Sequence, residues 1–296
     1  MIAWDRLRER FTVDALRWAP KGALTHGIGW AARRKVPRPL RAGLYKGFSA
    51  RAGVDLSEVP APLESFERFD DFFTRTLPPG ARPIEGGDDV VVSPCDGVLS
   101  EVGVSDGGRL IQCKGRDYTV RGLLTDESEA RVYTGGAYAT IYLAPRNYHR
   151  VHTPTGGAIT GYRHVPGAFF PVNPPSVRGV AGLFSINERL ITYVDGPLGR
   201  VAVVMVAAMG VGHMTVSYDT VETHRREGRH GSTRVYSTPK PVAKGDELGM
   251  FHLGSTVILL FQPGRVTFAG LEKGRPVRMG ETLGRRVSGR SGEVAA

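Results

Sequence analysis

Cysteine is scarce: only Cys95 and Cys113 occur in 296 residues. That excludes the disulfide framework on which small secreted domains rely. One bridge between the two is allowed, but nothing requires it, and reduced thiols in a cytosolic setting are the expectation. No stretch approaches the roughly 18–20 consecutive apolar residues that cross a bilayer. The opening residues MIAWDRLRER contain no apolar core of secretory type. The chain is therefore expected to stay on the cytoplasmic side of a membrane without spanning it. No repeat of fixed period is present, and no strands alternate with long helices, which argues against a doubly wound α/β fold. Neither cysteine nor carboxylate stands at metal-ligand spacing beside the one close histidine pair, so no metal is expected.

What is present is enough for a core. Apolar residues make up 41% of the chain, and the 39 glycines and 20 prolines are spread along it as turns between short segments. The length fits one large domain, or one with a smaller attachment. The net charge of +10 is concentrated at one end: residues 1–50 hold eleven Lys/Arg against three acids, which is eight of the ten net charges. A basic arm on a nearly neutral body favours an anionic surface as partner. It does not point to nucleic acid.

That arm reads as helical. Trp4, Leu7, Phe11, Ala15 and Trp18 fall on one helical face, and Leu40, Leu44 and Phe48 repeat the spacing with Arg41, Lys46 and Arg51 beside them. Aliphatic and aromatic residues opposite arginines suit a helix lying in a membrane interface; packing on the protein's own core is the competing reading. Phe66, Phe69, Phe72 and Phe73 suggest one more packed helix, ended by the run from Leu77 to Gly87. From about Val90 the pattern is β, with strand-like runs at 90–93, 97–104, 139–145, 190–194, 201–209, 215–218 and 256–261. The expected fold is thus α+β. Residues 1–75 form a helical membrane-association region of basic amphipathic helices, and residues 76–296 a mainly antiparallel, β-rich catalytic domain.

Three segments carry chemistry: Ser93-Pro94-Cys95-Asp96-Gly97, Tyr148-His149-Arg150-Val151-His152 and Phe251-His252-Leu253-Gly254-Ser255-Thr256. Alone, Asp-Gly reads as a turn and Gly-Ser-Thr as a turn opening a strand. Together they supply an acid, a base and a hydroxyl, the inventory of a serine-hydrolase triad, which recurs in several chain orders. The Gly-x-Ser-x-Gly elbow of such hydrolases is missing. Glycine directly before the serine leaves the preceding carbonyl open to attack by the serine's own hydroxyl once a base takes its proton.

Leu253-Gly254-Ser255-Thr256 resembles the self-cleavage motif of phosphatidylserine decarboxylase proenzymes of the bacterial, membrane-associated type. The resemblance extends over almost the whole chain. It takes in Phe72-Phe73-Thr74-Arg75-Thr76-Leu77 with Pro79-Gly80-Ala81-Arg82-Pro83-Ile84, and the Asp96 and paired-histidine segments. It continues in Leu183-Phe184-Ser185-Ile186-Asn187-Glu188-Arg189 and Lys244-Gly245-Asp246-Glu247-Leu248-Gly249. One departure is Val206-Ala207-Ala208-Met209-Gly210-Val211-Gly212-His213-Met214, where family members often read Val-Gly-Ala-Thr-x-Val-Gly-Ser-Ile; His213 and Met214 bear on headgroup preference.

The resemblance implies that Asp96 orients His152 and that His152 takes the Ser255 proton. The Ser255 oxygen then attacks the Gly254 carbonyl. The resulting ester eliminates to dehydroalanine, which hydrolyses to ammonia and a pyruvoyl group derived from Ser255. The pyruvoyl is the cofactor, an electron sink for loss of CO2 from phosphatidylserine to give phosphatidylethanolamine. His149 is the expected acid that returns a proton to the carbon, on the ground that a histidine is partly charged near neutral pH. The implied partners are phosphatidylserine, an anionic membrane surface and the two chains of one precursor; a homodimer is compatible with the sequence. The implied location is peripheral, at the cytoplasmic side of the cell membrane. Competing readings are a serine hydrolase or peptidase acting on external substrates, a pyruvoyl enzyme for a soluble amino acid, and a non-catalytic lipid-binding protein.

Overall fold

The computed structural model describes residues 21–210, 213–223, 231–252 and 255–287. The expected helical stretch 4–18 lies outside these residues, as does Gly254. Sixteen strands occur among the described residues. The first eight are β1 (Val90–Val92), β2 (Gly97–Val104), β3 (Arg109–Cys113), β4 (Arg116–Thr119), β5 (Ala137–Leu143), β6 (Arg150–His152), β7 (Gly157–Val165) and β8 (Arg189–Gly196). Then follow β9 (Gly199–Ala207), β10 (Met214–Val216), β11 (Ser232–Val242), β12 (Glu247–Phe251), β13 (Ser255–Phe261), β14 (Val266–Thr267), β15 (Pro276–Val277) and β16 (Thr282–Arg286).

Eight of them form one sheet in the order β11-β7-β8-β9-β13-β5-β2-β15. Every pairing in it is antiparallel, so the fold is α+β with an antiparallel body. Strand β13 sits inside the sheet, and all seven of its residues are buried. The sequence dictates that place: Thr-Val-Ile-Leu-Leu-Phe is apolar without alternation, the pattern of a strand covered on both faces. Side chains alternate along it. Val257, Leu259 and Phe261 enter a core shared with Val151, Met214, Leu248 and Phe251. Those four belong to, or adjoin, the small sheet β10-β12-β6 laid on that face. Ile258 and Leu260 enter a second core, with Leu123, Leu124, Tyr133, Leu183 and Phe184 of short helices on the other face. Ser255 has the parity of Val257 and so points towards the small sheet.

The short helices Val120–Leu124, Glu127–Tyr133, Pro174–Gly179 and Leu183–Ile186 were not legible as periodic runs, since four to seven residues span two turns at most. Strand β5 stops at Leu143 and not at Pro145, because a turn closed by Ala144 N–H donating to Asn147 Oδ1 at 2.8 Å follows it. Strand β10 likewise ends at Val216. The Asp96-Gly97 pair is not a free turn. Gly97 opens β2 against β5, where a Cβ would lie 2.6 Å from the Tyr142 carbonyl oxygen, so only glycine lets the strands meet there.

At the N-terminal end lie the helices Lys21–Ala32, Arg38–Ala52 and Phe69–Phe73. Proline in the first turn of Arg38–Ala52 and Gly53 at φ 79° bound the second of these. Its inward face is not the Leu40 and Leu44 side. Tyr45 is buried and Phe48 partly so, whereas Leu40 and Leu44 stay 61% and 47% exposed. The reason is an aromatic cluster. Tyr45 stacks on Phe72 at 4.9 Å and Phe48 meets Phe69 edge-on at 4.8 Å. The Tyr45 hydroxyl also donates to the Phe66 carbonyl at 3.0 Å. Such ring pairs add about 0.5–1.5 kcal/mol beyond their burial.

Removing the centre of that cluster should be costly. In the uncut Ser255→Ala chain, Phe72→Ala is expected to lower the stability read from urea unfolding by about 3–5 kcal/mol. Leu40→Ala, at an exposed site, should change it by no more than about 0.5 kcal/mol. Similar effects from the two would mean that the cluster does not anchor these helices.

Candidate active site

Strand β13 positions Ser255. Its Cα neighbours are Leu143 of β5 and Ala207 of β9, one on each side. The residue is fully buried, and its hydroxyl has no hydrogen-bond partner. The Thr256 hydroxyl, on the opposite face of the strand, is also buried without a partner. Native proteins leave few such groups, because each costs about 1–3 kcal/mol.

The histidines arrive on β6 and the turn before it. His149 is fully buried with its ring 4.0 Å from that of Phe73. Its Nδ1 lies 2.7 Å from the Asn147 carbonyl oxygen. A carbonyl only accepts, so the network assigns the proton to Nδ1 and leaves Nε2 as a bare lone pair. No partner meets Nε2. Burial pulls His149 down to about 3, so its ring is neutral at physiological pH in this chain. That departs from the expectation of a partly charged His149: the reference value for a free histidine does not survive complete desolvation.

His152 sits at the end of β6. Its backbone N–H donates to the Pro94 carbonyl at 2.7 Å, which brings the Asp96 segment alongside. Its Nδ1 is 2.8 Å from the Gly245 carbonyl, and its Nε2 is 3.0 Å from the Tyr148 hydroxyl. By the same rule Nδ1–H donates to Gly245, and Tyr148 O–H donates to Nε2. Burial lowers its pKa, although the Gly245 hydrogen bond and the charges of Glu247 and Asp96 act the other way.

Asp96 is buried nearby but makes no hydrogen bond to His152. The triad contact expected from the sequence is therefore not formed in this arrangement, and the cause is a stronger partner. Arg82 donates to both Asp96 oxygens, Nε at 2.9 Å and a terminal nitrogen at 2.6 Å, and the Met279 N–H adds a third bond at 2.9 Å. Sequence reading passed over Arg82, although it lies in the quoted Ala81-Arg82-Pro83-Ile84 run. Tyr148 was likewise quoted without a role.

A second pair lies just before the Gly254-Ser255 junction. His252 Nδ1 is 2.9 Å from Asp70 Oδ2, its Nε2 is 3.2 Å from Thr215 Oγ1, and the His213 ring stands 4.4 Å away. With Thr25, His26, Gly29, Arg33 and Gly210, the residues Asp70, His213 and His252 line a narrow cleft beneath the helix Lys21–Ala32. His213 therefore borders this cleft, and Met214 is buried in the core. Both cysteines are free thiols. Among the described residues no group of three or more His, Cys, Asp or Glu is placed to hold a metal ion.

A histidine with an open lone pair, a second histidine near a clamped carboxylate and a buried serine at the head of an inner strand are the kinds of group with which enzymes move protons and attack carbonyls. The family model described as phosphatidylserine decarboxylase matches residues 69–285. This chain belongs to the phosphatidylserine decarboxylase family. It is 49% identical to the phosphatidylserine decarboxylase proenzyme of Anaeromyxobacter sp. (strain K) over 280 residues, covering 94% of this chain and 99% of that one. It is 48% identical to the proenzyme of Myxococcus xanthus (strain DK1622), covering 90% and 94%. It is 43% identical to that of Halorhodospira halophila, covering 95% and 94%. Nothing in these relatives supports the serine hydrolase reading.

The depressed pKa of His149 carries a consequence for acid stability. Unfolded, His149 binds a proton near 6.5; folded, only near 3. The folded state must therefore lose ground to the unfolded one as pH falls below 6.5. In the Ser255→Ala chain, His149→Gln removes that loss. The stability difference between parent and variant should shift by about 2 kcal/mol in favour of the variant between pH 7 and pH 5. Urea unfolding at the two pH values measures it; a difference constant with pH would mean that His149 is not buried neutral.

Proposed function

We propose that the chain cuts itself between Gly254 and Ser255 and that residue 255 becomes a pyruvoyl group at which phosphatidylserine loses CO2 to give phosphatidylethanolamine. The observation that carries this reading is the Ser255 hydroxyl: buried, unpartnered and facing the histidine-bearing layer, in a chain of this family. The surroundings suit such a group. Leu143, Ala207 and Val257 make its setting dry, and the Thr256 hydroxyl at the strand's head and the bare Nε2 of His149 are unused polar atoms. When present, the pyruvoyl group supplies the electron sink for decarboxylation.

The residues themselves do the rest. Ser255 Oγ attacks the Gly254 carbonyl carbon; the C–N bond breaks, and the amine of residue 255 keeps the proton. Loss of the α-proton of residue 255 then expels the Gly254 carboxylate, and water displaces ammonia from the resulting dehydroalanine. We assign the first proton transfer to His152, with Asp96 steadying the charged ring. To act so, His152 must exchange the Tyr148 hydroxyl at Nε2 for Ser255. We assign His149 to the later return of a proton to the substrate carbon. Neutral when the site is empty of substrate, it is charged by the anionic headgroup arriving beside it, since a nearby negative charge favours the imidazolium.

The N-terminal helices present the site to lipid in this reading. Leu24, Ile28, Trp30, Leu40 and Leu44 are exposed, and Arg33, Arg34, Lys35, Arg38, Lys46 and Arg51 are exposed around them. The helix Lys21–Ala32 borders the cleft of His213 and His252, where Thr25 Oγ1 accepts from Gly210 N–H at 3.2 Å. An interfacial helix there sets the cleavage segment close to headgroups. No helix among the described residues is long and apolar enough to cross a membrane.

Intact mass under denaturing conditions tests the cut. The native chain should give two pieces, residues 1–254 and 255–296 with a pyruvoyl end, while Ser255→Ala stays whole. Cutting of the Ala variant at the parental rate would assign the cleavage to a protease. Asp96→Asn and His152→Ala should block maturation, whereas His149→Ala should mature in part and lose decarboxylation more strongly.

Liposome co-sedimentation tests the docking. Each Lys or Arg at an anionic surface contributes about 1 kcal/mol, screened by salt. Part of the binding should therefore fall between low and high ionic strength, and part should be lost on Trp4→Ser with Phe11→Ser. A chain lacking residues 1–37, which keeps the helix Arg38–Ala52 and its aromatic cluster, should still mature. If it binds anionic vesicles as tightly as the full chain, the docking surface is elsewhere.

A further inference from the structure

Arg82 is buried, with its side chain 4% exposed, and it places every hydrogen it has. Nε–H and one terminal N–H go to the two oxygens of Asp96. Two more go to the two oxygens of Glu58, at 2.9 and 2.8 Å, and the fifth to the Ala81 carbonyl at 2.9 Å. A guanidinium has five such hydrogens in a fixed fork, so this one has no freedom left. The count on Asp96 is equally telling. Oδ1 accepts from Arg82 and from Met279 N–H, while Oδ2 accepts only from Arg82. Of the roughly four acceptor positions of a carboxylate, one remains, on Oδ2.

We propose that Arg82, with Glu58 as its counter-anion, is a positioning residue for self-cleavage: it fixes the Asp96 carboxylate with a single acceptor position open, which receives Nδ1–H of His152 when that hydrogen leaves the Gly245 carbonyl. The proposal rests on the reading that Asp96 and His152 activate Ser255. Arg82 acts through Asp96 alone. Its two-pronged contact prevents the carboxylate from rotating. Lysine cannot replace it, because an ammonium is a point charge without the two-pronged fork. Glu58 lies in the single-turn 3-10 helix Leu56–Glu58.

The test follows cutting of freshly synthesised full-length chain on denaturing gels. Arg82→Lys should slow cutting at least tenfold. Urea unfolding in the Ser255→Ala background reports whether the fold is kept. Parental cutting overturns the proposal. Arg82→Ala with methylguanidinium separates the clamp from a merely structural role. Restoration by methylguanidinium but not methylammonium supports the clamp, and equal failure of both overturns it. Asp96→Asn is the separate control: if it cuts at the parental rate, the role given to Asp96 is wrong, whatever Arg82 does.

Discussion

The immobility of β13 is the constraint on which the rest depends. The strand is paired on both edges, and its side chains are buried in two cores. Its first residue can neither swing out to solvent nor turn its side chain to the other face without breaking main-chain bonds on both sides. In the proposed cleavage, a residue fixed so firmly has to be served by its neighbours. The small sheet β10-β12-β6 lies on the face that Ser255 occupies, with His152 at the end of β6 and His149 just before that strand, and Gly97 allows β2 to close against β5 and carry Asp96 alongside.

Stability and chemistry pull apart at this point. The chain tolerates a serine hydroxyl and a threonine hydroxyl side by side in β13 and a histidine nitrogen before β6, all buried without partners. At about 1–3 kcal/mol each, such groups consume a substantial part of the 5–15 kcal/mol by which domains are stable. The surrounding apolar packing offsets that cost. Charge is handled differently from hydroxyls: Asp96 and Arg82 are buried only as a fully hydrogen-bonded set with Glu58, in keeping with the steep penalty for an unpaired ion.

The sequence made much of this legible, and for identifiable reasons. The Thr256–Phe261 run announced a strand covered on both faces because it contains no polar alternation. The Thr153-Pro154 pair after the His149 and His152 segment disfavours a helix, and His152 ends a strand. The face that the Arg38–Ala52 helix turns inwards was out of reach: Leu40 and Leu44 stay exposed, as the interfacial reading has them, and only Phe69 and Phe72 in space draw Tyr45 and Phe48 inwards. Partner choice was also out of reach. Nothing in spacing reveals that Asp96 is claimed by Arg82, fourteen residues upstream, or that Asp70 meets His252 across 182 residues.

The cut proposed at the head of β13 would have a consequence for the life of the molecule. The piece from residue 255 onward supplies an inner strand of the large sheet, pairs β15 with β2, and wraps β16 between β1 and β14. Severing the chain there would free neither half, since both would still share one folded body. Yet the route to that body would be lost: what formed as the collapse of a single chain would afterwards require two separate molecules to find each other. A protein so cut would be held by the height of its unfolding barrier and not by a reversible equilibrium. Each copy would fold once.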